Sequence, residues 1–148
     1  MGKEYDLIVG KGNNEIEVSC GKIYAYLKKI DEKSINRSMN DWFLKKTYEM
    51  IDEIKNDVLL PFRKMGLSPN LISVKKYKSR WGCCSYKTKE IIINSCMAHL
   101  DIKYLRYVLN HEACHLKYPN HQECFHELLD RVYPLNKSIK KELNRYRL

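Results

Sequence analysis

Apolar and polar residues alternate at the start of the chain, fall into helical spacing in its middle, alternate again, and end in three helical stretches. Tyr5-Asp6-Leu7-Ile8-Val9 and Glu15-Ile16-Glu17-Val18-Ser19 flank the turn formers Gly10-Lys11-Gly12-Asn13-Asn14, a pattern that predicts a β-hairpin. Residues 22–30 read as a short helix. Gly10 and Gly12 have no third glycine at dinucleotide-binding spacing, so they are turn residues. From Asn40 onward Leu44, Tyr48, Ile51, Ile54, Val58, Phe62 and Met65 recur at three- and four-residue steps, which predicts a helix with a core-facing stripe. Pro61 lacks an amide donor, so this helix is expected to end near Leu60 or kink, with Gly66 closing the segment.

Leu71 to Tyr77 predicts a strand with Ile72 and Val74 on one face. Glu90 to Asn94 predicts a second, buried on both faces because Ile91-Ile92-Ile93 is a continuous apolar run. Lys78 to Thr88 between them reads as a loop. Helices are expected at about 101–117, 121–132 and 135–147, separated by Pro119 and Pro134. In the last, Leu135, Ile139, Leu143 and Tyr146 share one side. Strands first and helices last make an α+β order.

His111-Glu112-Ala113-Cys114-His115 is an HExxH sequence on the first of those three helices. Residues four apart on a helix differ by only about 40° around the axis, so His111 and His115 can share one metal ion. Glu112 lies beside that edge, placed to face a metal-bound water without being a ligand. Ile102, Leu105, Leu109, Ala113 and Leu116 form the opposite, apolar face. Pro119 and Asn120 can turn the chain back to present His121 as a third ligand. Three imidazoles and a water make the open site of a catalytic zinc ion, whereas cysteine-rich sites are closed and structural. Zinc acidifies the water and polarises a carbonyl, and Glu112 moves the proton to the leaving amine, which is peptide hydrolysis. The spacing to His121 also fits the metzincins, but Tyr118 stands where they need glycine. Every methionine precedes the motif as well, so membership is rejected.

Lys78-Ser79-Arg80-Trp81-Gly82-Cys83-Cys84, Ile91-Ile92-Ile93-Asn94, His111 through His121 with Leu116 and Asn120, and Phe125 together resemble the YgjP-like metallopeptidases. These are relatives of the SprT and WLM zincins, and the resemblance covers about residues 42–132. It implies a minimal zincin fold, a small sheet packed on the HExxH helix with further C-terminal helices and the substrate along an edge strand. It also implies His111, His115 and His121 as ligands and Glu112 as base. The chain departs from the family pattern at Cys83, Gln122 and His126, and its N-terminal region is short. The organisation expected is one metallopeptidase domain over 1–148, with an N-terminal hairpin and helix region in 1–38 and a catalytic core in 40–148.

Composition adds constraints. The length is that of one domain, and 44% hydrophobic residues supply a core. The charged opening Met1-Gly2-Lys3-Glu4 and the lack of a membrane-spanning apolar stretch predict a cytoplasmic protein. Its six cysteines are then reduced. A thiolate site using Cys83, Cys84, Cys114 or Cys124 is the structural-metal alternative, with no Cys-x-x-Cys pair to support it.

The net charge of +9 is concentrated at 75–89 and 131–148, which flank four acids and one lysine in 112–130. Basic residues among Tyr77, Trp81 and Tyr86 suit nucleic acid as well as solvent. The rival function is therefore a nucleic-acid-associated protein, either a SprT-like DNA-associated protease or a binding module with a structural metal. Arg80-Trp81 is either a loop near the cleft or a core anchor. Tyr107 and Tyr118 are candidate oxyanion donors, Asp130 a candidate orienter of a ligand imidazole, and His99 and His126 surface or supporting residues.

Overall fold

The computed structural model describes residues 5–146. The residues Met1–Glu4, and positions 147 and 148 at the end of the last expected helix and basic stretch, lie outside that range. Among the described residues, two three-stranded sheets and four α-helices make a mixed α+β fold. The first sheet contains β1 (Asp6–Lys11), β2 (Glu15–Ser19) and β3 (Lys22–Leu27), in the order β1-β3-β2.

That order corrects two expectations. Residues 22–27 are a strand rather than a helix, and β1 and β2 do not form a hairpin because β3 lies between them. The hairpin is β2–β3. Its two-residue turn places Cys20 at φ 50° and Gly21 at φ 74°, the left-handed pair that matches strand twist. The glycine- and asparagine-rich segment instead carries the chain across the end of β3. There Gly12 donates its N–H to the Leu27 carbonyl at 3.0 Å, and Asn14 Oδ1 accepts from the Lys28 amide at 2.9 Å. Ile23, Ala25 and Leu27 form the buried face of β3.

Helix α1 (Glu32–Lys64) begins well before Asn40, because Asp31 caps it by accepting from the Ser34 amide at 2.9 Å. It also passes through Pro61. Phe62 is fully buried just beyond, and the end is locked by the amides of Gly66 and Leu67 donating to the Arg63 and Phe62 carbonyls. The proline's missing donor is outweighed by that burial and closure.

The second sheet repeats the order of the first: β4 (Leu71–Lys75) is parallel to β6 (Glu90–Asn94), and β5 (Gly82–Ser85) is antiparallel to it. Central β6 buries Ile91 and Ile93 completely, and its partner strand β5 replaces part of the expected loop. With two cysteines, a glycine and a serine, β5 carries no strand signature of its own. A 3-10 turn (Ser95–His99) leads to α2 (Ile102–Cys114), α3 (Glu123–Val132) and α4 (Asn136–Leu143). Leu105, Leu109, Ala113 and Leu116 face the core as expected. Leu135 does not; it is 63% exposed, ahead of α4. Glu142 accepts from Lys103 Nζ at 2.6 Å and Tyr104 Oη at 3.1 Å, which ties α4 to α2.

Asn94 organises the approach to β5. Its fully buried amide donates to the Tyr77 and Arg80 carbonyls at 3.0 and 2.7 Å and accepts from the Tyr77 and Cys96 amides. Its own N–H donates to the Trp81 carbonyl at 2.8 Å. Replacing it strands several backbone groups at once. Asn94→Ala should cost about 2–4 kcal/mol in urea unfolding. It should also expose the amide of Tyr77 to hydrogen exchange. A loss below about 0.5 kcal/mol would mean that water replaces the side chain without penalty.

Candidate metal centre

Asp101 starts α2 by accepting from the Lys103 amide at 3.0 Å, and the helix delivers His111 and Glu112 in its last turn. His115 is the C-cap residue, still αR, and the chain tightens through turns at Leu116 to Tyr118. The expected helix to 117 therefore stops three residues early. His121 precedes α3 instead of opening it, on the segment that folds back after Pro119 and Asn120.

The fold-back brings three imidazoles together. His121 Nε2 lies 2.9 Å from His111 Nε2 and 3.1 Å from His115 Nε2. Nitrogens around a tetrahedral zinc ion stand about 3.3 Å apart, given Zn–N near 2.0–2.1 Å. His115 Nδ1 meets the Tyr118 carbonyl at 2.8 Å. A carbonyl only accepts, so Nδ1 carries a proton and Nε2 is the atom turned toward the other two rings. Burial pushes His111 down to about 3, with further lowering from His115 and His121, so this ring is neutral. Burial first, then His115, lowers His121 as well. Three imidazole nitrogens converging on one point suit a metal cation. Among the described residues, these three form the one cluster of histidine, cysteine and acidic side chains close enough to hold an ion.

The support is aromatic. Phe125 is fully buried, and its ring centroid lies 4.9, 4.7 and 4.7 Å from those of His111, His115 and His121. His111 Nδ1 is buried with no hydrogen-bond partner among the described residues, so packing against Phe125 and Tyr107 holds this ring. Sequence reasoning had Phe125 only through a family resemblance. A phenylalanine four residues after a histidine has no pattern of its own.

Glu112 is 6% exposed beside these rings, and burial pushes its carboxyl up to about 8, with Arg80 pulling the other way. Strand β5 lies directly against it. A Cβ on Gly82 would stand 2.9 Å from Val108 Cγ1 and 3.2 Å from Glu112 Cγ, so only glycine lets the strand approach this closely. The Arg80-Trp81 segment is thereby placed at the cleft. Arg80, Trp81 and Gly82 line a cavity of about 270 Å³ with His111 and Glu112.

The other candidates separate. Tyr107 is buried in the same cavity, where burial and Glu112 raise its hydroxyl to about 12 and keep it protonated. Tyr118 contributes its backbone carbonyl, through the bond to His115. Asp130 does not orient a histidine: its oxygens accept from Asn136 Nδ2 and Lys137 Nζ, each at 2.8 Å. His99 packs on Phe43 at 4.0 Å, and exposed His126 sits 6.4 Å from His121 between ring centroids. Burial raises Cys84 to about 11 and Cys114 to about 12, which keeps both as thiols. Within the basic stretches 75–89 and 131–148, Lys76 donates to Asn40, Lys89 to the Leu116 carbonyl and Lys137 to Asp130. Those bonds join elements of the fold.

A family model of the YgjP-like metallopeptidase domain matches residues 1–146. No curated protein matches. The structure is similar to the metallopeptidase zymogen of Methanocaldococcus jannaschii jannalysin, at 25% identity and a TM-score of 0.53 over 64% of this chain and 88% of that one. It is also similar in fold to the metallopeptidase zymogen of Pyrococcus abyssi abylysin, at 21% identity and a TM-score of 0.50 over 66% and 92%.

Phe125→Leu keeps the site apolar but removes the ring on which all three imidazoles rest. Zinc affinity, measured by competition with a chromogenic chelator, should fall about 10- to 100-fold while far-ultraviolet dichroism is retained. Unchanged affinity would show that the histidines hold their geometry without this support.

Proposed function

Because the chain belongs to the YgjP-like metallopeptidase family, we propose that it hydrolyses peptide bonds with zinc held by His111, His115 and His121 and with Glu112 as general base. The observation that carries this reading is the convergence of three imidazole nitrogens beside one buried carboxylate. The donor set is all imidazole nitrogen, which suits zinc over harder cations such as magnesium or calcium. Zinc bound there would supply Lewis acidity, acidifying the attacking water and polarising the scissile carbonyl.

The chain's own residues do the rest. Glu112 takes a proton from the attacking water on a carboxylate oxygen and hands it to the nitrogen of the leaving amine. Burial raises the affinity of this carboxylate for a proton, which suits a group that must hold the proton between those two transfers. The helical turn between His111 and His115 fixes two imidazoles, and the Tyr118 carbonyl fixes the tautomer of the second. Gly82 lets β5 lie against Glu112, so one side of the cleft is an edge strand. A peptide lying along that strand would present its carbonyl between the histidines and Glu112.

This reading places the chain with enzymes that act on peptides or proteins. No described helix is long and apolar enough to cross a membrane.

Glu112→Gln keeps the shape of the side chain and removes the base. The variant should bind one zinc per chain yet lose about 10²- to 10⁴-fold or more in cleavage of a peptide mixture followed by mass spectrometry. His121→Ala should instead lose the metal. Retained cleavage in Glu112→Gln would sink the assignment of the base, and full zinc content in His121→Ala would remove that residue from the ligand set.

A further inference from the structure

The cavity beside Glu112 has a composition that the hydrolytic chemistry does not require. Trp81, Tyr107, Val108 and Leu143 give it apolar walls, and Arg80 and Lys140 stand in its lining as exposed cations. Glu112 is the single acid among its lining residues. The charge of Arg80 is felt at Glu112, and that of Lys140 at His111 and His121. Neither is ion-paired with a carboxylate among the described residues, whereas Lys103, Arg106 and Lys137 each are. Arg80 rests over the Tyr77 ring at 5.5 Å.

Both cations are carried on fixed backbone. The Arg80 carbonyl accepts from buried Asn94 at 2.7 Å, and the next carbonyl, of Trp81, accepts from the Asn94 amide at 2.8 Å. Lys140 shares a face of α4 with Leu143, which is buried. Two cations without a carboxylate partner, in the lining of one apolar-walled cavity, leave a local excess of positive charge that an anionic group would neutralise.

We infer that this cavity is a specificity subsite for a carboxylate of the peptide substrate close to the scissile bond, bound between Arg80 and Lys140 with its aliphatic part on Trp81, Tyr107, Val108 and Leu143. The carboxylate comes either from an acidic side chain or from the C-terminus of the peptide. The inference rests on the peptidase reading above and adds its substrate class. It also gives Arg80 and Lys140 work distinct from a general basic surface: they read the substrate and take no part in proton transfer.

The test uses the full chain loaded with zinc and two matched peptide pairs, one with Glu against Gln within a neutral peptide, one with a free against an amidated C-terminus. In one pair the carboxylate member should show a kcat/KM about tenfold or more above its neutral partner, as expected for a hydrogen-bonded charge. The pair that responds identifies the source. Lys140→Glu should bring that ratio to one or below, and Arg80→Gln should reduce it. Binding to Glu112→Gln, followed by Trp81 emission in a Trp42→Phe background, should show the same preference without turnover.

Equal cleavage within both pairs by the wild type, with cleavage abolished in Glu112→Gln, would overturn the subsite and leave the peptidase reading standing. An unchanged ratio in both charge variants would also overturn it. If zinc-loaded protein cleaves no peptide, the peptidase reading fails, and the Trp81 titration still decides the subsite. Carboxylate-dependent binding supports it, and equal binding refutes it.

Discussion

Three imidazole nitrogens, that of His121 within 2.9 and 3.1 Å of the other two, are a demand that the surrounding structure has to meet. Protonating any one ring would place a charge against its neighbours, and rotating any one would scatter the lone pairs. The fold answers by burying His111, donating the His115 Nδ1 proton to a backbone carbonyl, and laying all three rings against Phe125. Phe125 comes from α3 and two of the histidines from the end of α2. The site therefore exists only while these helices remain packed, and the tight turn through Pro119 and Asn120 keeps them so.

The second sheet stands in a similar relation to Glu112. Its edge strand β5 approaches α2 closely enough that one added carbon at Gly82 would touch both Val108 and Glu112. Buried Asn94 sets the path of the chain into that strand by bonding backbone groups of Tyr77, Arg80, Trp81 and Cys96. One amide side chain thus links the sheet centre to the cleft wall. At the other end of the strand pair, Lys89 donates to the Leu116 carbonyl just beyond α2 and fastens the β5–β6 hairpin to the end of that helix. The Arg-Trp-Gly segment derives its place from these contacts.

Both sheets share one strand order, with the third strand central, parallel to the first and antiparallel to the second. No internal sequence repeat accompanies it. In each, a tight hairpin joins the second strand to the third while a longer segment crosses from the first. A hydrophobic central strand with short or polar edges is satisfied by this order whatever the details of its sequence. In the second sheet the order leaves β5 at the edge facing the cleft.

Local periodicity carried much of this structure. The spacing of His111 and His115 follows from helical pitch, the buried face of α2 from apolar recurrence, and β4 and β6 from alternation or an isoleucine run. His121 was legible because it lies six residues beyond His115, within reach of a single turn. What local pattern could not contain were pairings between distant segments. The first strand pairs with β3 and not β2 because the Cys20-Gly21 turn closes tighter than the glycine-rich loop. The start of α1 moved to Glu32 because a side-chain cap acts at one residue, and Pro61 was absorbed because Phe62 is buried beyond it. Strand β5 has no signature because its partner β6 supplies the hydrophobic surface. The sequence alone thus determined the metal-ligand candidates and their base, for which spacing along one turn of chain is enough. Only tertiary structure decided that Phe125, Gly82, Asn94, Arg80 and Lys140 surround them, because those contacts join segments up to tens of residues apart and depend on how the elements pack.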